Sequence, residues 1–455
     1  MADRINLPGG VHVILNALNT AGYEAFIVGG CVRDSFMGRV PKDWDITTSA
    51  RPEEVKGLFA HTYDTGIQHG TVTVRIGQES YEVTTYRVDG AYTDHRRPDT
   101  VSFSTNLRED LLRRDFTINA MAYHPKSGII DHYHGREDLR DHIIRCVGSP
   151  ADRFREDALR MLRAVRFAAQ LDFSLEPNTR EAIRLLSPTI AHVSWERIRD
   201  ELNKVIISDH PEMVEEICQL GLMHHILPEW EACLNTPQNT PYHKYTVGRH
   251  MIETMKHIEQ DPVLRWTMFL HDIGKPTVRM TDPDGMDHFI GHIEKSVQIA
   301  DQAMRRLKFD NASRNRILQL IRYHEIPSVS SEKDMRFMAA EAGPELMEDL
   351  FKVMEADARG KKEEVDRVNQ EEISRMKSLY ARILQDQDPL RVGDLKINGK
   401  DLKDLGYPSG PVIGRVLDLL FKQVLSDPSL NEHDLLIRTA ASLKDAKELQ
   451  NFSES

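Results

Sequence analysis

Two short motifs near the N-terminus contain residue types suited to phosphate and metal chemistry. Gly29 and Gly30 follow the apolar run at residues 25–28, and Asp43 and Asp45 stand two residues apart shortly afterwards. A glycine pair lets the backbone approach a phosphate closely, and the amides that open a following helix can bond to phosphate oxygens. Two carboxylates at i and i+2 of an extended segment point the same way and can share a pair of Mg²⁺ ions. Each motif is common alone, but together they predict a site where a hydroxyl attacks a nucleoside triphosphate and pyrophosphate leaves.

A third carboxylate is expected near this pair. Residues 71–76 and 81–87 alternate between apolar and polar types and are interrupted at Gly77, which predicts a β-hairpin beside the aspartate strand. A neighbouring strand would bring Glu82 to the same face, where it could bind metal or help to deprotonate the attacking hydroxyl. An edge-strand glutamate in water is an equally weighted alternative.

The segment after the hairpin predicts a loop and then a basic element. Residues 89–98 are polar, contain Gly and Pro and lack periodicity, which is typical of a mobile loop. Residues 111–122 combine a basic pair with a mixed apolar run, as in a helix that leads into a strand. Arg114 in that pair is expected to stabilise the triphosphate as charge builds on it.

The composition is that of a globular chain of two to four domains. The 455 residues are 40% hydrophobic and 29% charged, and no apolar stretch approaches membrane-spanning length. The N-terminus does not read as a signal peptide, so we expect a cytoplasmic protein without a membrane partner. The cysteines have no Cys-x-x-Cys spacing, which argues against a zinc knuckle or a disulfide framework. The net charge of −12 argues against indiscriminate coating of nucleic acid, although arginines crowd residues 153–166 and indicate a local basic groove.

Six short motifs follow one another in an order that resembles a known family. They lie at residues 29–34, 43–45, 113–120, 131–139, 156–160 and 196–202. Over roughly its first 230 residues the chain resembles the bacterial class II tRNA nucleotidyltransferases, the CCA-adding enzyme family. The resemblance implies an α+β fold, with a polymerase-β-type nucleotidyltransferase head of mixed sheet and helices followed by an all-helical neck, body, HD domain and tail. The expected domains are the head at 1–145, the neck and body at 146–240, the HD domain at 241–360 and the connector and tRNA-binding tail at 361–455.

The same resemblance implies roles for individual residues. Asp43 and Asp45 correspond to the Mg²⁺ ligands, and the residues that correspond to nucleotide-binding positions are Gly30, Arg33, Arg114, Asp157, Arg160, Arg163 and Arg166.

The spacing of the neck residues is compatible with base recognition. Asp157 and Arg160 are three apart, which predicts one face of a helix, with Arg163 and Arg166 continuing the stripe. A carboxylate acceptor beside a guanidinium donor can pair with the polar edge of cytosine or adenine and so replace a nucleic-acid template. The alternative is a helix covered by surface salt bridges. Farther along, Ser194 is a candidate cap for a helix whose Glu196, Arg197 and Glu201 are expected to support the neck.

A second set of residues suits a different chemistry. It consists of His250, His271, Asp272, His292, His324 and Asp357. Residues 240–360 resemble the HD phosphohydrolase domain, which implies a divalent transition metal such as Mn²⁺, Ni²⁺, Co²⁺ or Fe²⁺ and hydrolysis of 2′,3′-cyclic phosphates or 2′-phosphates. Only a helical bundle can gather residues so dispersed in sequence, and two ions with a bridging water would supply a hydrolytic nucleophile. A domain retained as a scaffold is the alternative.

The C-terminal part predicts helices. A strongly charged helix from about residue 360 to 386 is expected to be a solvated connector. Residues 397–414 and a helix from Arg415 resemble the tail of CCA-adding enzymes. The Gly410–Pro411 turn could present amides to an RNA phosphate, and an ordinary helical packing unit is equally weighted.

The resemblance as a whole implies addition of C, C and A to the 3′ end of tRNA from CTP and ATP. A second interpretation is an A-adding, CC-adding or poly(A) polymerase relative. The loop at residues 89–98 favours full CCA addition over this interpretation. A metal-dependent phosphohydrolase with a nucleotide-sensing head is a third, but intact Asp43, Asp45 and Arg114 argue against it. No oligomeric state is predicted.

Overall fold

A computed structural model describes residues 4–90 and 101–445, so most of the predicted loop at residues 89–98 lies outside the described residues. The chain divides into two compact units. The first contains the chain up to Leu234 together with Ala303–Lys308, and the second contains Asn235–Gln302 and the chain from Phe309 onwards. The division into head, neck, HD domain and tail at the expected boundaries stays a prediction.

The first unit is built on a mixed seven-stranded sheet with the order β3-β4-β5-β2-β1-β8-β9. Its strands are β1 (Ala25–Val28), β2 (Asp45–Thr48), β3 (Thr62–Gly66), β4 (Thr71–Ile76), β5 (Glu79–Thr85), β8 (Ala122–His124) and β9 (Gly128–Ile130). A separate antiparallel pair consists of β6 (Arg87–Asp89) and β7 (Val101–Phe103). The predicted hairpin is confirmed as β4 and β5, and β5 runs parallel to β2.

Twelve helices among the described residues complete this unit, apart from the part of a later helix that it includes. They are α1 (Gly9–Thr20), α2 (Gly30–Phe36), α3 (Pro52–Leu58), α4 (Leu107–Leu112), α5 (Gly135–Arg140), α6 (Pro150–Glu156), α7 (Leu159–Leu171), α8 (Pro177–Leu186), α9 (Trp195–Ile206), α10 (Met213–Gln219), α11 (Leu222–Ile226) and α12 (Pro228–Leu234). Helix α7 packs against α9 and buries most of its apolar side chains, because apolar residues recur at nearly every turn on more than one face.

The second unit is mainly helical. Its helices are α13 (Val247–Lys256), α14 (Pro262–Leu270), α15 (Lys275–Val278), most of α16 (His292–Arg306), α17 (Asn311–Arg322), α18 (Glu332–Ala342), α19 (Met347–Arg359), α20 (Glu363–Gln385), α21 (Gly399–Asp404), α22 (Pro411–Ser426) and α23 (His433–Asp445). The mixed sheet and the largely helical remainder confirm the expected fold class. A short strand pair, β12 (Met280–Thr281) with β13 (Asp287–His288), interrupts the helices of this unit, and a second pair, β10 (Ile143–Ile144) with β11 (Ser174–Leu175), lies among the helices of the first unit.

Two helices differ from the sequence-based expectation. The connector helix α20 is not simply solvated, because Ile373, Met376 and Leu379 lie buried on the face that packs against α18 and α19. The tail helix α22 begins at Pro411 rather than at Arg415. Proline is well tolerated at the first helical position, where its missing N–H has no helical partner to lose.

Two further observations concern the cysteines and the membrane-spanning potential of the helices. Cys31, Cys146, Cys218 and Cys233 are all buried and free, as expected from their spacing. Over the part of the chain that the structure describes, no helix combines the length and the apolarity needed to cross a bilayer.

Candidate active site and candidate metal centre

Three carboxylates meet at the start of β2. Asp45 is its first residue and is paired in register with Val28 of β1 and Glu82 of β5, while Asp43 lies exposed two residues earlier. Partial burial raises the pKa of Asp45 although Arg114 opposes this effect, and partial burial together with the charges of Asp45 and Asp43 raises the pKa of Glu82. Carboxylates that disfavour one another's charge in this way fit a bound cation, which would relieve the repulsion. The cluster therefore suits Mg²⁺.

The turn between β1 and α2 places a glycine directly against this cluster. Gly29 has φ +80°, and a Cβ at this position would lie 3.0 Å from Nη1 of Arg114 and 3.5 Å from Oδ2 of Asp45. The backbone at Gly29 is therefore open towards the site because this residue has no side chain. Gly30 follows as the first residue of α2, and Arg33 lies one turn farther along that helix.

One cavity of about 600 Å³ collects nearly all the predicted nucleotide-site residues. Its lining includes Gly29, Gly30, Arg33, Asp43, Asp45, Arg113, Arg114, Asp115, Asn119, Asp157, Arg160, Arg163, Arg166, Phe167 and Arg197. Glu82 is absent from this lining and lines a second cavity, which also touches Asp45. Residues separated by more than 150 positions thus surround one volume in which guanidinium groups outnumber carboxylates.

Each neck arginine is oriented by a carboxylate partner. Arg163 donates to Oδ2 of Asp115 from Nε at 3.0 Å and from Nη2 at 2.6 Å. Arg166 forms an ion pair of 2.6 Å with the buried Glu201 of α9. These partners hold the side chains in fixed directions at the wall of the cavity. The ion pairs are therefore half-buried and face a pocket, unlike the alternative of a helix covered by surface salt bridges.

The prediction that Asp157 and Arg160 share a helix face is wrong. Asp157 has φ −144° and ψ 104° and lies between α6 and α7, outside both helices. Its carboxylate accepts a hydrogen bond from the backbone N–H of Leu159 at 3.1 Å, and an aspartate that binds a nearby amide in this way interrupts a helix. Arg197 from α9 then donates to both carboxylate oxygens, at 3.3 and 2.7 Å.

The other base-recognition candidate also has a partner. Arg160 in the first turn of α7 pairs with Glu156 and donates from Nη2 to the backbone oxygen of Arg113 at 3.1 Å. The supporting helix begins after Ser194, which occupies the N-cap position in an extended conformation but accepts no capping hydrogen bond with its side chain among the described residues.

Sequence reasoning missed one aromatic residue of this site. The ring of Phe167 lies under three guanidinium groups, with its centroid 3.7 Å from Cζ of Arg166, 5.0 Å from that of Arg33 and 5.5 Å from that of Arg163. Stacking on an aromatic face orients the planar guanidinium group. The four-residue spacing between Arg163 and Phe167, which places both side chains on one face of a helix, was the sequence feature that could have identified this ring.

The second unit gathers its predicted ligands around one point. His250 lies on α13, His271 and Asp272 follow α14, His292 opens α16, His324 follows α17 and Asp357 lies on α19. Two groups of potential ligand atoms, each within 4.8 Å of one another, share the Asp272 carboxylate. One group contains His250 and His271, and the other contains His292 and His324.

The four histidine rings are oriented alike. Nδ1 of each ring faces a backbone oxygen, at 3.2 Å for His250, 2.9 Å for His271, 2.9 Å for His292 and 2.7 Å for His324. A proton on Nδ1 that is donated to a carbonyl leaves the Nε2 lone pair free for a metal. Oδ1 of Asp272 and Nε2 of His292 are buried and have no hydrogen-bond partner among the described residues. This donor set of imidazole and carboxylate fits a divalent transition metal.

The charges in this centre also suit a cation. Burial lowers the pKa of His250 and lowers that of His324 to about 3, so both rings are neutral near pH 7. Burial disfavours the charged form of Asp272, but the nearby Lys275 and His271 outweigh it and keep its pKa well below the ordinary value. Burial also disfavours the charged form of His271, but Asp272 and Asp357 outweigh it and raise the pKa of this ring to about 9, so a metal would have to displace its proton. The neutral rings of His250 and His324 and the ionised Asp272 are already in the protonation states that metal binding requires.

Two lysines of this centre were not predicted. Nζ of Lys275 lies 2.6 Å from Oδ2 of Asp272, and Nζ of Lys361 lies 2.6 Å from Oδ2 of Asp357. Spacings of three and four residues from the predicted ligands were the sequence signals that could have identified them. Positive side chains beside a metal centre favour an anionic substrate.

Comparison with known proteins identifies the family. Residues 25–145 match the family model of the poly A polymerase head domain, residues 172–234 match that of a probable RNA and SrmB-binding site of polymerase A, and residues 242–391 match the HD domain. A CCA-adding enzyme of Leuconostoc mesenteroides is 33% identical over 431 residues, which cover 94% of each chain.

Two other relatives agree with this result. A CCA-adding enzyme of Lactobacillus helveticus is 55% identical over 204 residues, which are 45% of this chain and about half, 51%, of that relative. The crystal structure of the Bacillus stearothermophilus CCA-adding enzyme in complex with CTP superposes with a TM-score of 0.72 at 28% identity, covering 97% of this chain and 98% of that one. The chain therefore belongs to the CCA-adding enzyme family of tRNA nucleotidyltransferases.

Proposed function

We propose that this protein adds C, C and A to the 3′ end of tRNA from CTP and ATP without a nucleic-acid template. The observation that carries the proposal is the cavity in which the carboxylates at the start of β2 face the arginines of α7. The B. stearothermophilus relative with bound CTP supports a nucleotide as the ligand of such a cavity. A nucleotide whose triphosphate lies near Gly29 can extend its base towards Asp157 and Arg160.

Different residues of the cavity bind the triphosphate and the base. The guanidinium groups of Arg33 and Arg114 carry charge that complements the triphosphate. Asp157 accepts a hydrogen bond, as the exocyclic amino group of cytosine or adenine requires, while Arg160 donates to a ring nitrogen. A carboxylate has about four lone-pair sites, so Asp157 can bind a base while Arg197 continues to orient it.

The chemical step is an in-line displacement. The 3′-oxygen of the acceptor forms a bond to the α-phosphorus as the bond from that phosphorus to the β-bridging oxygen breaks, and pyrophosphate leaves. Mg²⁺ bound by Asp43 and Asp45 would lower the pKa of the hydroxyl and neutralise the leaving group. The hydroxyl proton passes to a carboxylate oxygen of Asp45 or Glu82, or to water.

Incorporation of labelled CTP and ATP, separately and together, into tRNA transcripts that lack CCA, CA or A tests this function. We expect ordered addition that stops after A. In Asp43→Asn we expect turnover to fall by about 10²-fold or more, while CTP binding persists. Asp64→Asn on β3, which removes an exposed carboxylate paired with Lys56, is the matched control. Addition of A alone, of CC alone or of long A tails would instead indicate one of the related polymerases.

We further propose that the metal centre of the second unit hydrolyses phosphomonoesters or cyclic phosphodiesters of nucleotides. The four Nε2 atoms that converge on the Asp272 carboxylate support this activity. A bound pair of metal ions would supply a hydroxide nucleophile, while Lys275 and Lys361 provide positive charge for the phosphate.

Release of phosphate from 2′-nucleotides, and opening of 2′,3′-cyclic nucleotides, tests this second activity after loading with Mn²⁺, Ni²⁺, Co²⁺ or Fe²⁺. We expect Asp272→Asn to abolish hydrolysis and to retain nucleotide addition. Hydrolysis that survives in this variant would exclude the centre, and no hydrolysis by the metal-loaded protein would leave the second unit with a scaffold role.

A further inference from the structure

A second cavity lies beside the nucleotide cavity and extends from the strand that begins with Asp45 over both of its neighbouring strands. It has a volume of about 220 Å³, and its walls include Thr71, Glu82, Thr84, Arg87 and Arg113 in addition to Asp45. Asp45, Arg113 and Arg114 line both cavities, whereas Gly29, Gly30 and Asp43 line only the first, and Glu82 and Arg87 line only the second.

The two linings differ along the sheet. Strand β2 lies between β1, which leads into Gly29 and contributes Val28 to the second cavity, and β5, whose Glu82 and Thr84 line the second cavity but not the first. The Asp45 carboxylate is thus reached from the glycine turn on one side and from Glu82 on the other. An in-line displacement needs this arrangement, because the attacking oxygen approaches the phosphorus opposite the leaving group. If the triphosphate occupies the glycine side, the attacking hydroxyl must enter from the Glu82 side.

The walls of the second cavity match the chemistry of an RNA 3′ end. Arg87 donates to the backbone oxygen of His69, which fixes the direction of its half-buried side chain. Arg113 is oriented by the buried Asp110, to which it donates from Nε at 2.9 Å and from Nη2 at 2.8 Å. The guanidinium groups of Arg87 and Arg113 are thus held in fixed directions, and their positive charge can bind the negative charge of a phosphodiester.

Hydroxyl groups complete the set of polar groups. The side-chain oxygens of Thr71 and Thr84 lie 3.0 Å apart and can exchange hydrogen bonds with a ribose. Glu82 and Asp45 stand where the sugar's 3′-hydroxyl would meet the carboxylate cluster. A cavity of this size has room for a sugar and its phosphate.

From this juxtaposition we propose that the second cavity binds the terminal ribose and the last phosphodiester of the RNA acceptor, with Arg87 contacting that phosphate. The assignment rests on the proposed nucleotidyl transfer. It gives Glu82 a position beside the attacking hydroxyl and gives Arg87 a role in acceptor binding that is distinct from nucleotide binding.

The test compares the full-length protein with its Arg87→Gln variant on tRNA that lacks CCA. In Arg87→Gln we expect the KM for tRNA to rise by about tenfold or more and the Kd for CTP, measured without RNA, to stay unchanged, since a charge-assisted hydrogen bond to the acceptor alone is lost. Arg87→Lys should recover part of the loss. The matched control is Arg75→Gln on β4, where the side chain of Arg75 donates only to Gly77 and Gln78 among the described residues.

A second substrate locates the contact. Replacing the last phosphodiester of the tRNA by a neutral methylphosphonate should weaken binding to the wild type and to Arg75→Gln, but should add no further loss in Arg87→Gln. Equal penalties in all three proteins, an unchanged KM for tRNA in Arg87→Gln, or a parallel loss of CTP affinity would each overturn the assignment.

Fluorescence anisotropy of the same tRNAs separates this proposal from the proposed function. If the wild type incorporates no nucleotide, nucleotidyl transfer fails, and the anisotropy series still decides whether Arg87 contacts the last phosphate. Equal melting temperatures of the three proteins establish that the variants are folded.

Discussion

At the scale of single residues, Gly29 combines backbone geometry with access to the active site. Its φ of +80° with ψ of −138° is close to a region that side chains rarely adopt, and a Cβ would face both Arg114 and Asp45. Substitution here therefore has two effects, strain in the backbone and obstruction of the cavity.

A pair of alanine variants separates these effects. Gly29→Ala and Gly38→Ala should each lose about 1–3 kcal/mol of unfolding free energy, because Gly38 also has positive φ, at +71°. Gly38 has open space where its Cβ would stand, so only Gly29→Ala should lose CTP affinity and turnover. Urea unfolding and CTP incorporation measure both properties, and equal activities of the two variants would contradict the role of Gly29.

Asp115 contributes to stability through the ionisation of its carboxylate rather than through backbone geometry. Burial raises its pKa, but ion pairing with Arg163 outweighs burial and keeps the pKa well below the ordinary value of a carboxyl. The carboxylate also accepts hydrogen bonds from the backbone N–H of Phe116 at 2.8 Å and from Nδ2 of Asn119 at 3.2 Å.

Acid should therefore destabilise the first unit by protonating the Asp115 carboxylate. Because the folded pKa lies below the unfolded value of about 3.9, the stabilisation is complete above that pH and is lost as the pH falls towards the folded pKa. Urea midpoints measured between about pH 6 and pH 3 should fall less steeply in Asp115→Asn than in the wild type. The exposed Asp64→Asn variant should keep the wild-type slope, and identical slopes for Asp115→Asn and the wild type would be inconsistent with this account.

At the scale of elements, α7 connects the proposed nucleotide cavity to the packing against α9. One side of the helix presents Arg163 and Arg166 to the cavity, and the Arg166–Glu201 pair joins α7 to α9. Burial lowers the pKa of Arg166 to about 10, although Glu201 opposes this effect. Removal of the carboxylate partner of this buried guanidinium group should therefore lower the free energy of unfolding strongly.

A mutant cycle across the two helices tests this coupling. Glu201→Leu should cost about 3–5 kcal/mol of unfolding free energy, because the charge of Arg166 then loses its carboxylate partner and keeps a hydrogen bond to the side-chain oxygen of Gln170. The double variant with Arg166→Met should recover most of that stability and still lose CTP affinity, since the cavity then lacks one guanidinium group. Thermal unfolding and CTP binding report the two outcomes separately, and additive losses of stability would show that the pair is not coupled.

At the scale of the whole molecule, each of the two units carries a candidate cation site, and the two sites differ in their ligand chemistry. The first site offers oxygen ligands, which favour Mg²⁺, and the second offers imidazole nitrogens with carboxylates, which favour a transition metal. A cytoplasmic location stays a prediction.

The two sites should respond independently to removal of metal. In the chelated wild type, adding back Mn²⁺ or Co²⁺ at about 100 times its Kd should raise stability by about 2.7 kcal/mol through the second unit. Asp272→Asn should lose this response and retain CTP incorporation with Mg²⁺, whereas His288→Ala, which removes an exposed histidine bonded to Asp282, should behave as the wild type. Metal content by mass spectrometry and melting curves provide the measurements. Retention of bound metal by Asp272→Asn would contradict the assignment.

The sequence alone was sufficient for the features that depend on local pattern. Apolar runs, alternation and glycine breaks predicted β1, the β4–β5 hairpin and the glycine turn, because each depends on residues close together in the chain. The order of the motifs likewise predicted the family and the residues that line the nucleotide cavity. The ordered histidines and aspartates predicted a candidate metal centre through their resemblance to the HD domain rather than through a local pattern.

Only the tertiary structure decided which distant groups meet. The pairing of Asp157 with Arg197, 40 residues away, and of His250 with Asp357, 107 residues away, depends on how helices pack. The register of Asp45 with Glu82 depends on the order of strands in the sheet. Helix periodicity placed Asp157 on α7 incorrectly, because a local hydrogen bond to the next helix outweighed the periodic pattern. Long-range contacts of this kind are set by packing and burial, which short patterns in the sequence do not encode.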